Sequence, residues 1–196
     1  VDADGVALEN PIFYITHPNG TSMNPISGDS HGEISFTQIP GGTYGAYIVW
    51  RGVAVFDGTV TISSNGVYEL SCTVYYVTFV TVDANDNPIP DIGITVYDST
   101  SSYILDFTMS NITGEAVARV PGGEINIEAH WQNILVNETS GIMISGDTTI
   151  TVECEIYEFI AHVLDSRDIE VEDAQVFIYT SEGVLLDMET TNNSGY

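Results

Sequence analysis

The feature that most constrains the fold of this chain is an internal repeat with a period of about 82 residues. The segment Val1-Asp2-Ala3-Asp4 aligns with Val82-Asp83-Ala84-Asn85, and Pro40-Gly41-Gly42 aligns with Pro121-Gly122-Gly123 at the same offset of 81. A repeat of this length indicates a chain of similar supersecondary units, each one module long. The period therefore sets the module size before any element is assigned.

The 196 residues hold two complete copies of the repeat and the first half of a third. We take residues 1–76 as the first copy, 77–157 as the second and 158–196 as the third. A half-module leaves sheet edges and one apolar face uncovered. The sequence thus predicts that the natural chain continues, or that a neighbouring subunit supplies the missing strands.

Short runs of alternating apolar residues, rich in Val, Ile, Thr and Tyr and bounded by turn residues, fill each copy. The clearest are residues 92–97, 104–109, 116–120, 125–131 and 149–157. This pattern is typical of strands, and no segment keeps a helical period. We therefore predict an all-β fold of tandem immunoglobulin-like, seven-stranded β-sandwich modules in an elongated array, with Trp50 and Trp131 as core anchors.

The junctions between copies contain no flexible linker. Residues 71–82 and 151–164 lack both Gly and Pro. Linkers rich in Gly and Ser bend freely, whereas extended runs of this kind do not. The sequence therefore predicts restricted bending between modules and a stiff rod.

The charge balance excludes two classes of partner. Asp and Glu total 28 against three basic residues, all of them Arg, which gives a formal net charge of −25. Nucleic acids and anionic lipid surfaces are bound through Lys and Arg clusters. No apolar run approaches the roughly 20 residues of a membrane-spanning helix. We therefore expect neither nucleic-acid binding nor direct membrane insertion.

The opening of the second copy carries a family resemblance. Residues 83–89 form an Asp-rich turn followed by Pro and Ile, and residues 114–125 place a Gly, an alternating strand and a Pro-Gly turn before Ile125. In these features the chain resembles the carboxypeptidase-regulatory-like and Cna protein B-type families of surface proteins. The resemblance implies spacer modules. Many pilin modules of the Cna B type carry a Lys-Asn isopeptide bond, but this chain has no Lys to form one.

Cys72 and Cys154 occupy equivalent places, because Cys72-Thr73-Val74-Tyr75 aligns with Cys154-Glu155-Ile156-Tyr157 at an offset of 82. Residues one module apart do not pair within one chain. For each cysteine, the residues two positions away in both directions are apolar, so in a strand they lie on the same face as the cysteine. This favours a buried free thiol over an intermolecular disulfide.

Acidic turns recur at the start of each copy and offer oxygen ligands for a hard cation such as calcium. The candidate ligands are Asp2, Asp4, Asp83, Asn85, Asp86, Asp165 and Asp168. Asp and Asn are also favoured in such turns for conformational reasons alone. Both interpretations stay open at the level of sequence, and no other cofactor is expected.

Four sequons mark candidate N-glycosylation sites at Asn19, Asn111, Asn137 and Asn192. Residues 28–32 match the Gly-x-Ser-x-Gly pattern of a hydrolase nucleophile, but that motif requires a strand, a sharp turn and a following helix. The four histidines, at positions 17, 31, 130 and 162, lack zinc-like spacing. We therefore expect no enzymatic activity.

Together these observations predict a non-enzymatic structural protein of a cell surface that forms a fibre, filament or surface-layer stalk by self-assembly of identical subunits. The acidity and sequons favour a glycosylated archaeal surface. The alternative is an adhesin or carbohydrate-binding array whose loops, or the faces of Trp50 and Trp131, bind glycans.

Overall fold

A computed structural model describes residues 1–181 and 183–196, and all regular structure in this part of the chain is β-strand. The strands are β1 (Ile12–Thr16), β2 (Ile26–Ser27), β3 (Gly42–Trp50), β4 (Val53–Ile62), β5 (Val74–Val82), β6 (Gly93–Asp98), β7 (Ile104–Met109), β8 (Glu115–Pro121), β9 (Gly123–Trp131), β10 (Ile134–Ile144), β11 (Thr148–Glu153), β12 (Gln175–Tyr179) and β13 (Leu185–Thr190). The expected all-β class is confirmed.

The second copy is built from seven strands in two sheets. One sheet has the order β10-β9-β6-β7 and the other has the order β11-β5-β8. In the three-stranded sheet, β5 pairs antiparallel with β8 and parallel with β11. Residues at alternate positions are almost completely buried, as the period of two along a strand requires: Val77, Phe79, Ile94, Val96, Ala118, Val120, Ile125 and Ile127.

The first copy contains a four-stranded sheet of the order β2-β1-β3-β4. This order matches β7-β6-β9-β10, because β1, β3 and β4 correspond to β6, β9 and β10 in the repeat. The apolar faces of these strands form a core around Phe13, Tyr44, Ile48, Trp50 and Val55. Trp50 is 5% exposed, which confirms it as a core residue, whereas Trp131 is half-buried.

The chain divides into two compact units, Val1–Glu155 and Ile156–Tyr196. The second unit contains the hairpin β12–β13. Over residues 1–181 and 183–196 no helix has the length and apolarity needed to span a bilayer.

The strands at the junctions are shorter than the sequence indicates. β5 starts at Val74 rather than at residue 71, and residues 154–163 form no strand after β11. A strand is held by hydrogen bonds to its neighbours, and β5 has a neighbour on each side. Residues 156–162 make no backbone-to-backbone hydrogen bond to another described residue, so they form no strand.

The turn between β8 and β9 follows its sequence signal. Pro121 ends β8, and Gly123 begins β9 with φ of 133°, a backbone conformation that L side chains rarely adopt. The equivalent Gly42 begins β3. Pro121-Gly122-Gly123 therefore lies at a junction between two strands, where the sequence predicts a turn.

Candidate functional site: the interface between the first and second copies

A two-residue hairpin turn between β3 and β4 carries Arg51 to the second copy. Trp50 pairs with Val53, and Arg51 and Gly52 have φ of 49° and 81°. Two consecutive positive φ values are typical of a type I′ turn, whose twist matches that of the flanking strands. A Cβ added at Gly52 would lie 3.3 Å from the Tyr103 ring, so the turn packs closely against the second copy.

The guanidinium group of Arg51 binds three groups of the second copy. Its Nη1 donates to the carbonyl oxygens of Leu105 and Arg119, the latter at 3.1 Å. The same nitrogen lies 3.2 Å from Asp106 Oδ1. The other oxygen of Asp106 accepts a hydrogen bond from the Arg119 backbone N–H at 2.9 Å. Asp106 therefore links Arg51 to β8.

The acidic turn of the first copy presents one buried carboxylate. Asp2 Oδ1 accepts hydrogen bonds from the backbone N–H groups of Asp4 at 3.0 Å and Val6 at 2.7 Å. The Asp2 backbone N–H in turn donates to the Val6 carbonyl at 2.8 Å. These bonds close the turn and leave the second oxygen, Oδ2, to face the second copy.

Arg119 on β8 binds this turn directly. Its Nη2 lies 2.6 Å from Asp2 Oδ2 and donates to the Val6 carbonyl at 2.7 Å, while Nη1 donates to the Ala7 carbonyl at 2.8 Å. The side chain of Asp2 is 1% exposed and that of Arg119 is 18% exposed. A charge pair with so little water around it is screened little by salt. The two copies are thus joined by a buried ion pair and two charge-assisted hydrogen bonds.

Within the described residues, Asp2 and Arg119 form an ion pair with each other and with no other charged side chain. Asp2 Oδ2 and Arg119 Nε make no hydrogen bond to any described residue, so the close approach of the two charges is what compensates the buried carboxylate oxygen. Removing one member of a buried pair leaves the other charge uncompensated. The resulting loss of folding stability is far larger than the net stabilisation that the intact pair provides.

Trp50 forms the aromatic centre of the interface. The Arg51 Cζ atom lies 4.3 Å from the centroid of the Trp50 ring, and the Arg119 Cζ atom lies 5.7 Å from it. The ring nitrogen Nε1 donates to the Glu9 carbonyl at 3.2 Å, which fixes the ring orientation. Two cations near one indole ring give cation–π stabilisation, and the contribution is larger for Arg119, whose side chain is 18% exposed, than for the exposed Arg51. The cluster of Asp2, Trp50, Arg51, Asp106 and Arg119 is called the inter-copy latch below.

Sequence reasoning did not identify the inter-copy latch. Its one visible signal is that Arg51 and Arg119 are two of only three basic residues in the chain. In the repeat, Arg51 corresponds to Gln132 and Arg119 corresponds to Gln38. Gln132 keeps the positive φ of the hairpin turn, at 47°, so the turn is repeated while the charge is not.

The first Asp of each acidic turn repeats one hydrogen-bonding pattern. Asp83 Oδ1 accepts from the backbone N–H groups two and four residues later, and Asp165 Oδ1 does the same. Bonds from the Asn87 side chain, and then from the backbone of Asn87 and Asn85, hold the pKa of Asp83 below its ordinary value. The backbone N–H groups of Arg167 and Ile169 lower the pKa of Asp165 in the same way. These carboxylates stabilise the turns themselves.

The remaining candidate calcium ligands are exposed. Asp86 and Asp168 occupy the left-handed position of their turns, with φ of 62° and 58°. Asp4 faces Asp147 of the second copy, and the negative charge of Asp147 raises the pKa of Asp4. Across residues 1–181 and 183–196, no three His, Cys, Asp or Glu side chains are grouped so that they could hold a metal. Calcium binding to these turns stays a prediction.

Three of the four sequons share one local geometry. In Asn19, Asn111 and Asn192, Oδ1 accepts from the backbone N–H two residues later, and each side chain is exposed. Asn137 differs, because it is half-buried on β10 and its amide Nδ2 donates to the Glu153 carbonyl at 2.8 Å. The structure therefore divides the candidate glycosylation sites into three with an exposed side-chain amide and one whose amide is hydrogen-bonded within the sheet.

Residues 28–32 lie in a turn of the same kind, not in a nucleophile elbow. Asp29 Oδ1 accepts from the backbone N–H groups of Glu33 and His31, and these bonds lower the pKa of Asp29. Ser30 and His31 are exposed, with 3.4 Å between Ser30 Oγ and His31 Nδ1. No helix follows within the described residues.

Both cysteines are free and buried, as the sequence predicts. Burial raises the pKa of the Cys154 thiol to about 11 and also raises that of Cys72. Each Sγ lies 3.7 Å from the carbonyl oxygen two residues earlier, which shows that the two sites are built alike.

No protein-family model matches the chain, and no curated protein sequence matches it. Among solved structures, the whole chain aligns with the Bacillus anthracis TIE protein at 18% identity and a TM-score of 0.38, and it spans 40% of that protein's length. The shaft pilin of Lactobacillus rhamnosus GG aligns with 79% of this chain and 91% of its own, at 10% identity and a TM-score of 0.34. A streptococcal ancillary pilin aligns with 97% of this chain and 79% of its own, at 13% identity and a TM-score of 0.37. All three are bacterial proteins; an archaeal source for this chain stays a prediction.

Proposed function

We propose that the chain is a non-enzymatic structural segment of an extracellular or cell-surface fibre, filament or surface-layer stalk. The inter-copy latch is the observation that carries this proposal. A spacer must transmit orientation from one module to the next, and here Arg51 and Arg119 bind backbone and carboxylate groups across the boundary between two copies. Domains on flexible linkers lack contacts of this kind.

The charge distribution supports the same role. The chain carries a formal net charge of −25, and two of its three cations are held in the inter-copy latch. An excess of one charge keeps an exposed surface hydrated and repels phosphate-bearing partners. The partners that fit are other copies of the chain, attached glycans and other proteins of the cell surface.

The decisive experiment examines the native material in place. Antibodies raised against the 196-residue chain should label filaments or a regular surface layer on the producing cells in electron micrographs. As a control, antibodies depleted on the purified chain should give no labelling. Labelling confined to the cell interior, or diffuse material with no filament or lattice, would contradict a structural role at the surface.

Stiffness is the second measurable consequence. Small-angle scattering of the full chain should show a loss of rigidity in the variant Arg51→Gln/Arg119→Gln, because Gln stands at the corresponding repeat positions 132 and 38. Arg167→Gln is the control, since its ion pair with Asp165 is solvent-exposed. Equal scattering from the two variants would show that the latch does not set the rigidity.

A carbohydrate-binding role is the second candidate, and one surface feature favours it. Gly93, Thr95, Phe107, His130 and Asn133 line a shallow groove on the second copy, where the Phe107 ring is 59% exposed. Exposed rings bordered by polar groups can stack on sugars. The expectation that Trp50 supplies such a face is wrong, because that ring is buried in the inter-copy latch. Saturable glycan-array binding that Phe107→Ala abolishes would support this role.

A further inference from the structure

Two asparagines of the chain are followed directly by glycine, at Asn19-Gly20 and at Asn65-Gly66. In such a pair the backbone nitrogen of the glycine can attack the side-chain carbonyl carbon of the asparagine, because glycine has no Cβ to block the approach. The attack closes a five-membered imide ring and releases the side-chain nitrogen as ammonia. Both pairs are exposed, so exposure alone does not distinguish them.

The loop that carries Asn65 and Gly66 leaves β4 and is exposed along its length. The Tyr68 hydroxyl holds the start of the loop, because it accepts from the backbone N–H groups of Ser63 and Ser64 at 3.2 and 3.3 Å. It also donates to the Ser64 carbonyl at 2.8 Å. These bonds end before the pair itself. Neither Asn65 nor Gly66 forms a hydrogen bond to any residue that the structure describes.

The surroundings of the Gly66 nitrogen are open. A Cβ built at Gly66 would have no heavy atom within 4 Å, and the following side chain, Val67, is 87% exposed. The Asn65 side chain has no hydrogen bond that must break before its Cγ turns towards the Gly66 nitrogen. The two reacting groups therefore meet without the loss of any native contact.

The other pair, Asn19-Gly20, is held in a hydrogen-bonded turn. The Gly20 N–H donates to the His17 carbonyl at 2.9 Å, and the His17 N–H donates to the Thr21 carbonyl at 2.8 Å. Asn19 Oδ1 accepts from the Thr21 backbone N–H at 3.0 Å and also from the Thr21 hydroxyl. Attack at this pair requires the loss of the bond that the nucleophile donates and of the bonds that hold the amide.

The second copy has a carboxylate at the position of Asn65. Ile62 pairs with the first residue of β3, and Ile144 pairs with the first residue of β9, so the two isoleucines correspond. Asn65 and Asp147 each lie three residues further along the chain. Asp147 Oδ1 accepts a backbone hydrogen bond at 2.8 Å. The fold thus accommodates, in its second copy, the residue that hydrolysis of the Asn65 amide produces.

We propose that Asn65 is a site of spontaneous deamidation in the folded chain and that the turn at Asn19 protects the other pair. Hydroxide takes the proton of the Gly66 backbone nitrogen, which bonds to Asn65 Cγ while the Cγ–Nδ2 bond breaks and Nδ2 leaves as ammonia. Water then opens the imide. Addition at Cγ gives aspartate, and addition at the Asn65 backbone carbonyl carbon gives isoaspartate, whose main chain runs through Cγ.

Either product adds one negative charge to the surface of the first copy. Because the loop at Asn65 belongs to no strand, neither product disturbs a sheet hydrogen bond. The modification goes beyond the proposed structural role and does not depend on it.

The experiment follows the full 196-residue chain, produced without glycans, during incubation at neutral and at mildly alkaline pH. Trypsin cleaves after Arg, so Asn19 falls in the peptide 1–51 and Asn65 in the peptide 52–119. Fragmentation mass spectrometry locates the exchange of an amide NH₂ for OH, and isoaspartyl methyltransferase labels the isoaspartate product. Deamidation should be about 10-fold faster at Asn65 than at Asn19, because loss of even one hydrogen bond raises the barrier by that order. The rate at Asn65 should rise with pH, since the nucleophile is the deprotonated nitrogen.

Gly66→Ala is the matched variant, because it adds a Cβ beside the attacking nitrogen where the space is open and φ lies outside the left-handed region. It should slow the loss of the Asn65 amide and leave the unfolding midpoint unchanged. In urea, where the turn at Asn19 is lost, the two rates should become equal. An Asn65 that reacts in urea but stays intact in the folded chain would overturn the inference. Equal rates at Asn19 and Asn65 in the folded chain, or an Asn65 rate that Gly66→Ala leaves unchanged, would also overturn it.

Discussion

Arg119 Nη2 lies 2.6 Å from the carboxylate of Asp2, which belongs to the preceding copy of the repeat and is almost completely buried. The carboxylate closes its own turn through Oδ1 and binds the next module through Oδ2. One side chain therefore couples the local conformation of the first copy to the position of the second. Disturbing the pair should loosen both.

The first prediction follows from this coupling. Arg119→Gln should lower the free energy of unfolding of the first unit by about 3 kcal/mol, because a buried carboxylate loses its countercharge. Both tryptophans lie in that unit, so denaturant unfolding followed by their fluorescence measures the effect. Arg167→Gln changes the net charge equally but breaks an exposed pair, and it should cost no more than about 0.5 kcal/mol.

A double-mutant cycle tests the mechanism behind that loss. Asp2→Asn keeps an oxygen that accepts from the backbone of Asp4 and Val6 while removing the charge. The combined variant Asp2→Asn/Arg119→Gln should therefore lose less stability than the sum of the two single variants. Additive losses would show that the two side chains act independently.

The second prediction concerns acid stability. The pKa of Asp83 is lowered in the folded protein, so its stabilising contribution is present above the unfolded pKa of about 3.9 and is lost as the pH falls through the folded value. Asp83→Asn keeps the oxygen acceptor, as Asn111 does in its own turn. The stability difference between wild type and variant should shrink as the pH falls below about 4. A difference that is constant with pH would contradict the assignment.

The third prediction concerns Asp4, whose pKa is raised rather than lowered in the folded protein. The pKa of Asp4 is raised, chiefly by the charge of Asp147, so ionised Asp4 opposes folding. Asp4→Asn should stabilise the protein at neutral pH, and the gain should diminish as the pH falls through the raised pKa, where wild-type Asp4 takes up a proton. Asp57→Asn on β4 removes the same charge from an exposed position. If it stabilises the protein equally, general repulsion rather than Asp147 is the cause.

Much of the fold could be predicted from local pattern. The strand at residues 104–109 has the predicted bounds, and a junction between two strands falls at Pro121-Gly122-Gly123 as expected. The inter-copy latch could not be found in this way, because Arg119 binds residues of another copy and neither its partners nor its burial leaves a local pattern. The sequence places the acidic turns correctly, but composition does not reveal whether an Asp oxygen faces a cation or its own backbone.

The fourth prediction concerns the four sequons, which the sequence alone does not distinguish from one another. Glycopeptide mass spectrometry of native material should find glycans on Asn19, Asn111 and Asn192, where the amide is exposed, and none on Asn137. The Asn137 amide donates to the Glu153 carbonyl in the sheet, and a glycan on Nδ2 would displace that bond. Thr113→Ala should abolish modification of Asn111 while leaving the residue in place.

The matched variant for the same site is Asn111→Asp. It removes the amide but retains the oxygen that accepts from the backbone of Thr113 and Glu115, the role that Asp29 performs in the first copy. The variant should therefore lose the glycan without loss of the turn, and its unfolding midpoint should equal that of enzymatically deglycosylated wild type. A glycan found on Asn137 instead would show that modification precedes folding, because the folded sheet engages that amide.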